Sequence, residues 1–391
     1  MSHKTFDVAV VGVGAMGSAT CDALARRGAS VIGFEAVDVP HDLGSSGGHS
    51  RLIREAYWEH PDYVPLLGGA VKGWLDLQER IGRDVLLRPG CVYAGPADGS
   101  FLEGTRLAVR THGLDVEEVP RAEAASRFDA FSFPDEFEVM FEPGAGLVLC
   151  ERAIAGFAQE ARKRGSEIRC RESVLCWEED GDGVRIETER DTVEAGAVVF
   201  TAGAWTSRLL AGIGVPLRVH RQVIAWVWPE DIERHTIGTM PCWAIQPSDP
   251  GFEGIYYGFP ALPVETAGGI GGMKLGRHWL GPEVDPDTVD RRATAADEES
   301  WRPALASYFP GAVGAPTAGM KVCLYTSTPD EHFVVDRLPG SDRVTIACGF
   351  SGHGFKFASI MGEALADLAL EGRSDLPIDF LGLQRFSEAA P

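Results

Sequence analysis

A chain of 391 residues is long for one hydrophobic core and suits two domains, and 45% apolar with 24% charged residues is the make-up of an ordinary globular protein. A net charge of −21 excludes nucleic acid or an anionic membrane as partner, because phosphate would be repelled, and an anionic substrate would need a locally basic pocket. Met1–Asp7 lacks an apolar signal region, no run is long enough to span a membrane, Ser387–Pro391 carries no targeting address, and the eight cysteines form no C-x-x-C pairs, so a reduced, cytoplasmic protein is expected.

Phe6–Val11 reads as a short buried strand, Gly12-Val-Gly14-Ala-Met-Gly17 follows at once, and Ala15–Arg27 reads as a helix closed by Gly28. Ala29–Phe34 is a second strand with Glu35 at its carboxyl end. Gly12 permits a tight turn, Gly14 lets a pyrophosphate approach the backbone, and Gly17 lets the helix lie close to the strand. The helix N-terminus then faces the phosphates, and Glu35, 21 residues after Gly14, is placed to accept hydrogen bonds from a ribose diol. Strand, turn, helix and acid in register predict a dinucleotide site, with FAD and NAD both open at this point.

Leu43–Arg54 is a loop rich in glycine and serine whose N–H groups can meet an extended anion. Arg51 and Arg54 would lie near one another if a helix begins here, and they suit a phosphate, a flavin edge, a substrate carboxylate or surface salt bridges. Tyr63–Arg80 has helical apolar spacing, residues 85–141 turn to short strands with a helix at Ser100–His112, and Cys150–Arg164 is a helix. Short strands fill 167–193, and Ala197–Phe200 runs into Thr201-Ala-Gly, which opens a helix. Pro216–Trp228 and Cys242–Phe259 alternate as strands of a broad antiparallel sheet. Asp287–Tyr308 reads as a helix, Met320–Thr326, Phe333–Asp336 and Val344–Ala347 as strands, and Phe357–Glu371 as a closing helix.

On the strand Met320–Tyr325 the two-residue period puts Lys321, Cys323 and Tyr325 on one face. In Phe350-Ser-Gly-His-Gly-Phe-Lys356, two glycines around a histidine allow close approach to a planar ligand, and a lysine at a helix start opposes the dipole, a breach of local rule that hints at a site. Lys274 stands among glycines and apolar residues, and burial would depress its pKa. Tyr257 is most simply a sheet residue.

Val11-Gly-Val-Gly-Ala-Met-Gly17, Gly44–Tyr57, Lys274–His278, Cys323–Phe333 and Gly349–Lys356 together resemble the monomeric sarcosine oxidase family, which includes N-methyltryptophan and pipecolate oxidases, over nearly the whole chain. The resemblance implies an α/β fold, with a Rossmann-like FAD-binding domain in three pieces (1–84, 145–215 and 319–391). A second, substrate-binding domain (85–144 and 216–318) would be built on a mainly antiparallel sheet plus helices. It implies FAD bound by Gly12, Gly14, Met16, Gly17, Glu35, Ser45, Arg51, Val174, Gly352, His353, Gly354 and Lys356, with a covalent thioether from Cys323 to the flavin 8α carbon. Arg54 and Lys356 would clamp the substrate carboxylate, and Tyr257, His278, Tyr325 and Gly352 would line the substrate cavity. Lys274 would activate oxygen, with Arg51 beside the flavin ring. The implied reaction is hydride transfer from a secondary amino acid to the flavin, hydrolysis of the imine, and reoxidation by O2 to hydrogen peroxide, in a monomer without a metal. Two departures mark this chain: Gly47 stands where many members carry histidine, with His49 two residues along, and 261–273 is longer than usual before the lysine. An amine dehydrogenase using another acceptor, an NAD-dependent Rossmann dehydrogenase and a non-catalytic flavin-binding module are the competing readings.

Overall fold

The computed structural model describes residues 5–211 and 213–389, so the two ends read above for address signals lie in part outside the described residues. In Thr5–Val11, Phe6 and the run Val8–Val11 are apolar and buried, because from Val8 onward both faces of the strand are covered. Val8 and Val10 pack with Leu24, Phe157 and Met361, whereas Ala9 and Val11 pack with Phe34, Val198 and Ile346. That pattern belongs to a central parallel strand, and Thr5–Val11 pairs in parallel with Val31–Glu35 on one side and Thr192–Phe200 on the other. Glu167–Cys170 and Val344–Cys348 extend the parallel set, and three antiparallel strands, Val174–Asp180, Gly183–Thr188 and Val334–Arg337, complete an eight-stranded sheet. The helix Ala15–Arg26 lies against Cys150–Lys163 and Ala358–Glu371. At that last contact Gly362 is required, since a Cβ there would stand 2.6 Å from the Ala19 carbonyl carbon.

A second eight-stranded sheet runs in the order Thr317–Ser327, Arg218–Val227, Met273–His278, Ile255–Phe259, Cys242–Ile245, Cys91–Pro96, Phe137–Glu142 and Glu117–Val119. It is antiparallel except where Cys242–Ile245 meets Cys91–Pro96. The helix Ala295–Tyr308 contributes Trp301 and Leu305 to the core on one face of this sheet, with Trp243 and Phe309. A small third sheet joins Ser50–Ile53, Gly146–Leu149 and Leu86–Leu87, and Ser50–Ile53 also lies against Ile255–Phe259 and the turn Phe355–Phe357.

The structure departs from the sequence reading at several elements. Arg51 sits on the strand Ser50–Ile53, held antiparallel to Gly146–Leu149, and not on a helix with Arg54. Arg54 follows the strand, and the two arginines have separate hydrogen-bond partners, Arg51 the Ser45 and Gly47 carbonyls and Arg54 the Ala56 carbonyl and Glu59. The helix expected from Asp287 begins at Ala295, where Thr294 and Asp297 form a reciprocal capping box. Cys242–Phe259 is two strands, Cys242–Ile245 and Ile255–Phe259. After Thr201 the chain makes only the short turns Gly203–Trp205 and Thr206–Leu209. Residues 319–327, grouped above with the FAD-binding pieces, hydrogen-bond in the second sheet, in a continuous ladder with Arg218–Val227. Among the described residues no helix is long and apolar enough to cross a membrane.

Candidate active site

The carboxyl ends of the central parallel strands open on a cavity of about 610 Å³, within the roughly 300–1,000 Å³ of small-molecule sites. Gly12, Gly14 and Met16 line one end of it with Glu35, and Ser45, Arg51 and Val174 line it further along. Tyr325, Gly352 and Gly354 complete the wall. Gly12 has φ 91°, and a Cβ on it would stand 2.7 Å from the Thr201 carbonyl oxygen. A Cβ on Gly17 would stand 1.9 Å from the Gly12 oxygen, so this glycine sets the approach of helix to turn. Gly14 differs: apart from its own neighbours in the chain, nothing lies within 4 Å of its would-be Cβ, and the backbone there is open to the cavity. The helix that follows has no acidic residue in its first turn and no side-chain cap, which leaves N–H groups for an anion. Glu35 accepts from the Val13 N–H at 2.9 Å and the Val37 N–H at 3.3 Å, fixing its carboxylate at the cavity wall. A dinucleotide's pyrophosphate and ribose fit this wall.

A second cavity of about 70 Å³ shares Arg51, Tyr325, Gly352 and Phe355 with the first. It brings together Tyr257, His278 and Cys323 from the second sheet with Arg54, His353 and Lys356 from loops and the turn Phe355–Phe357. Arg54 and Lys356 are 3% and 6% exposed, and each places its charge 4.9 Å from the centroid of the buried Tyr57 ring. Lys356 Nζ donates to the His353 carbonyl at 2.7 Å. Arg54 donates to the Ala56 carbonyl at 2.6 Å and forks onto Glu59 at 3.0 and 2.8 Å.

Burial pulls the Lys356 ammonium down to about 7 against the opposing pull of Glu59. Burial alone would raise Glu59, but Arg54, His353 and Lys356 hold it down at about 2. Burial lowers His278 to about 4 and His353 to about 3, so both imidazoles are neutral at neutral pH. It raises Tyr257 to about 12 and lifts Tyr325 well above the ordinary phenol value, and both phenols keep their protons. His278 Nδ1 meets the Tyr325 hydroxyl at 3.2 Å, and His353 bonds the Tyr57 hydroxyl through Nδ1 and the Glu331 carbonyl through Nε2. With Lys356 protonated, Arg54, Lys356 and Glu59 leave one positive charge among them, and Arg51 adds a second to the wall, so the small cavity favours a bound carboxylate group.

Cys323 is 4% exposed in the wall of the small cavity. Burial raises its thiol pKa, with Arg51 and Lys274 pulling the other way. Lys274, 2% exposed, is not in the wall of either cavity. Its ammonium donates to the Gly48 and Ser50 carbonyls at 2.7 and 2.6 Å and to Ser50 Oγ at 3.2 Å, and burial together with Arg51 lowers it to about 7. Gly17 and His353 stand outside the wall of the large cavity, Gly17 within the helix packing and His353 in the small cavity. Glu59, Tyr57 and Glu142 escaped the sequence reading. Glu142 accepts the Glu55 and Ala56 N–H groups at 2.7 and 3.2 Å and so fixes the segment that carries Arg54. The available signal for Glu59 was a carboxylate five residues after Arg54, a spacing without a regular-structure meaning. Among the described residues no cluster of His, Cys, Asp and Glu could hold a metal ion.

The family model described as FAD dependent oxidoreductase matches residues 7–368, which decides for FAD over NAD. The chain is 36% identical to monomeric sarcosine oxidase of Bacillus sp. (strain NS-129), covering 97% of each chain. It is 32% identical to N-methyl-L-tryptophan oxidase of Escherichia coli strain K12, over 97% of this chain and 99% of that one. Its fold superposes on NikD, an amino acid oxidase essential for nikkomycin biosynthesis, with a TM-score of 0.84 over 97% of both chains at 24% identity. By the span of the family match and these full-length likenesses, the chain belongs to the FAD dependent oxidoreductase family, in the group that holds the monomeric sarcosine oxidases and N-methyl-L-tryptophan oxidases.

Proposed function

We propose that this enzyme oxidises secondary amino acids, N-methyl or cyclic, at FAD joined covalently to Cys323. The observation that carries the reading is the meeting of the two cavities: a dinucleotide-sized space opens beside a small one walled by Arg54, Lys356 and Cys323. The relatives named for sarcosine and N-methyl-L-tryptophan supply the substrate class. When bound, FAD takes hydride from the N–CH unit and passes the electrons to O2, giving hydrogen peroxide and an imine that hydrolyses.

The protein's own residues bind and orient. Arg54 and Lys356 hold the carboxylate by charge-assisted hydrogen bonds. His278, Tyr257 and Tyr325, all uncharged, line part of the remaining space, and hydride loss requires the amine in its neutral form. Gly352 allows the backbone to pass close to Tyr325, whose ring would stand 2.2 Å from a Cβ there. Arg51, bound to the Ser45 and Gly47 carbonyls at 2.9 and 2.6 Å, is a fixed cation shared by both cavities. Lys274 is assigned to the oxygen reaction. We assign residues 1–84, 145–215 and 328–391 to FAD and the second sheet, with its strand Thr317–Ser327, to substrate. The eight unpaired cysteines favour a reducing cytoplasm, and the relatives' name favours a monomer.

Denatured protein should keep yellow, fluorescent flavin on a gel, and Cys323→Ala should lose it; flavin released from denatured wild type would refute the covalent link. Sarcosine, N-methyl amino acids, proline and pipecolate, each mixed without oxygen, should include at least one that bleaches the flavin. A panel that leaves it oxidised would refute the substrate class.

A further inference from the structure

The turn Gly48–Ser50, which carries both carbonyls bonded to Lys274, is left-handed at two successive residues, Gly48 at φ 106° and His49 at φ 70°. A non-glycine residue there is strained and persists only where its surroundings hold it. Glu151 supplies that hold. Its Oε1 accepts the Gly48 N–H at 2.9 Å and the His49 N–H at 3.1 Å, and lies 3.6 Å from His49 Nδ1. Glu151 stands in the first turn of the helix Cys150–Lys163, where a carboxylate is favoured by the dipole. The Cys150 N–H donates to the His49 carbonyl at 3.0 Å and ties the turn from its other side.

One peptide unit therefore joins two charges. The N–H between Gly48 and His49 donates to the Glu151 carboxylate, and the carbonyl of that same peptide accepts from the Lys274 ammonium at 2.7 Å. A carboxylate on the donor end polarises the amide and strengthens its acceptor end. We propose that Glu151 is the positioning residue for Lys274, fixing through this peptide the carbonyls that hold the ammonium and supplying the opposing charge. The proposal rests on the reading of Lys274 as the cation that serves the reduced flavin. The groups facing Lys274 are Arg51 and His49 from the turn and strand, Cys150 and Glu151 from the helix start, and Cys323 and Cys242 from the second sheet. Of these Glu151 is the carboxylate, and it works against the burial that lowers the ammonium.

Glu151→Gln keeps an oxygen that can accept both N–H bonds and removes only the charge, so it separates electrostatics from tethering; Glu151→Ala removes both. The chain has six lysines, few enough for ε-carbon NMR of 13C-lysine holoenzyme, with Lys274→Met identifying the signal. In Glu151→Gln the Lys274 titration should move down by about one pH unit. Oxygen reoxidation of the reduced flavin should slow several-fold near neutral pH, with anaerobic reduction by the bleaching amine changed less than about twofold, a negligible barrier. An unmoved Lys274 titration overturns the proposal, as does a reoxidation defect equally large in the Lys274→Met background. If Lys274→Met itself reoxidises like wild type, the assigned role of Lys274 fails, while the NMR shift still decides whether Glu151 acts on it.

Discussion

At Lys356 a buried ammonium and a substrate carboxylate make opposite demands on pH. Its pKa in the folded protein, brought down to about 7 by burial, sets where the clamp loses one of its two charges. A carboxylate that carries no amine, such as propionate, isolates this effect from protonation of the substrate nitrogen. Its affinity for the oxidised enzyme should be steady below that midpoint and fall by up to about tenfold per pH unit above it. Lys356→Met should bind more weakly and without the break; flavin absorbance titrations read both. Stability runs the other way. Between about 7 and the ordinary lysine value of 10.5 the native state holds fewer protons at this lysine than the unfolded chain, so the lysine's contribution to stability rises with pH. Melting of wild type and Lys356→Met should therefore diverge in the wild type's favour above pH 7, by at most about 1.4 kcal/mol per pH unit. A constant difference would show that the ammonium is not titrating there.

At the level of the element, two glycines of one turn give opposite expectations. Gly17→Ala would bring a Cβ to 1.9 Å from the Gly12 oxygen and 2.6 Å from Thr201 Oγ1, so the helix must move off the strand. The cost is roughly 1–3 kcal/mol, and the flavin-free protein should melt earlier as well as take up less FAD. Gly14→Ala meets nothing within 4 Å apart from its own neighbours in the chain, so its flavin-free melting should match wild type while FAD uptake falls. This turn was legible because glycine spacing, an apolar strand and a terminal acid are all local. Helix Ala358–Glu371 was legible for the same reason, through its apolar period and its closing Gly372. Ser50–Ile53 was not: its strand character comes from pairing with Gly146–Leu149, nearly a hundred residues on. The start of Ala295–Tyr308 was missed although its signal, Thr294 with Asp297, is local, because the largely polar stretch 287–294 before it was read as helix too. In the site, the cationic clamp came through likeness to a family, whereas Glu59 and Tyr57 became visible only when Arg54 and Lys356 were seen against one ring, with Arg54 bonded to Glu59.

Over the whole molecule, the proposed thioether joins parts that the chain otherwise keeps in separate sheets. The dinucleotide turn and Glu35 belong to the first sheet, and Cys323 to a strand of the second, paired with Gln222 across the ladder. A cofactor bound noncovalently stabilises by mass action, by about 2.7 kcal/mol when free ligand is a hundredfold above Kd. One attached to the chain does not dissociate, and its stabilising effect cannot depend on how much free FAD is present. Thermal melting should therefore be independent of added FAD for wild type and should rise with FAD for Cys323→Ala, approaching wild type only at high concentration. Because attachment also holds the two sheets together through the flavin, wild type should remain the more stable even when Cys323→Ala is saturated. A wild-type melting temperature that climbs with free FAD would mean the cofactor exchanges, and the bridge between the sheets would have to be abandoned.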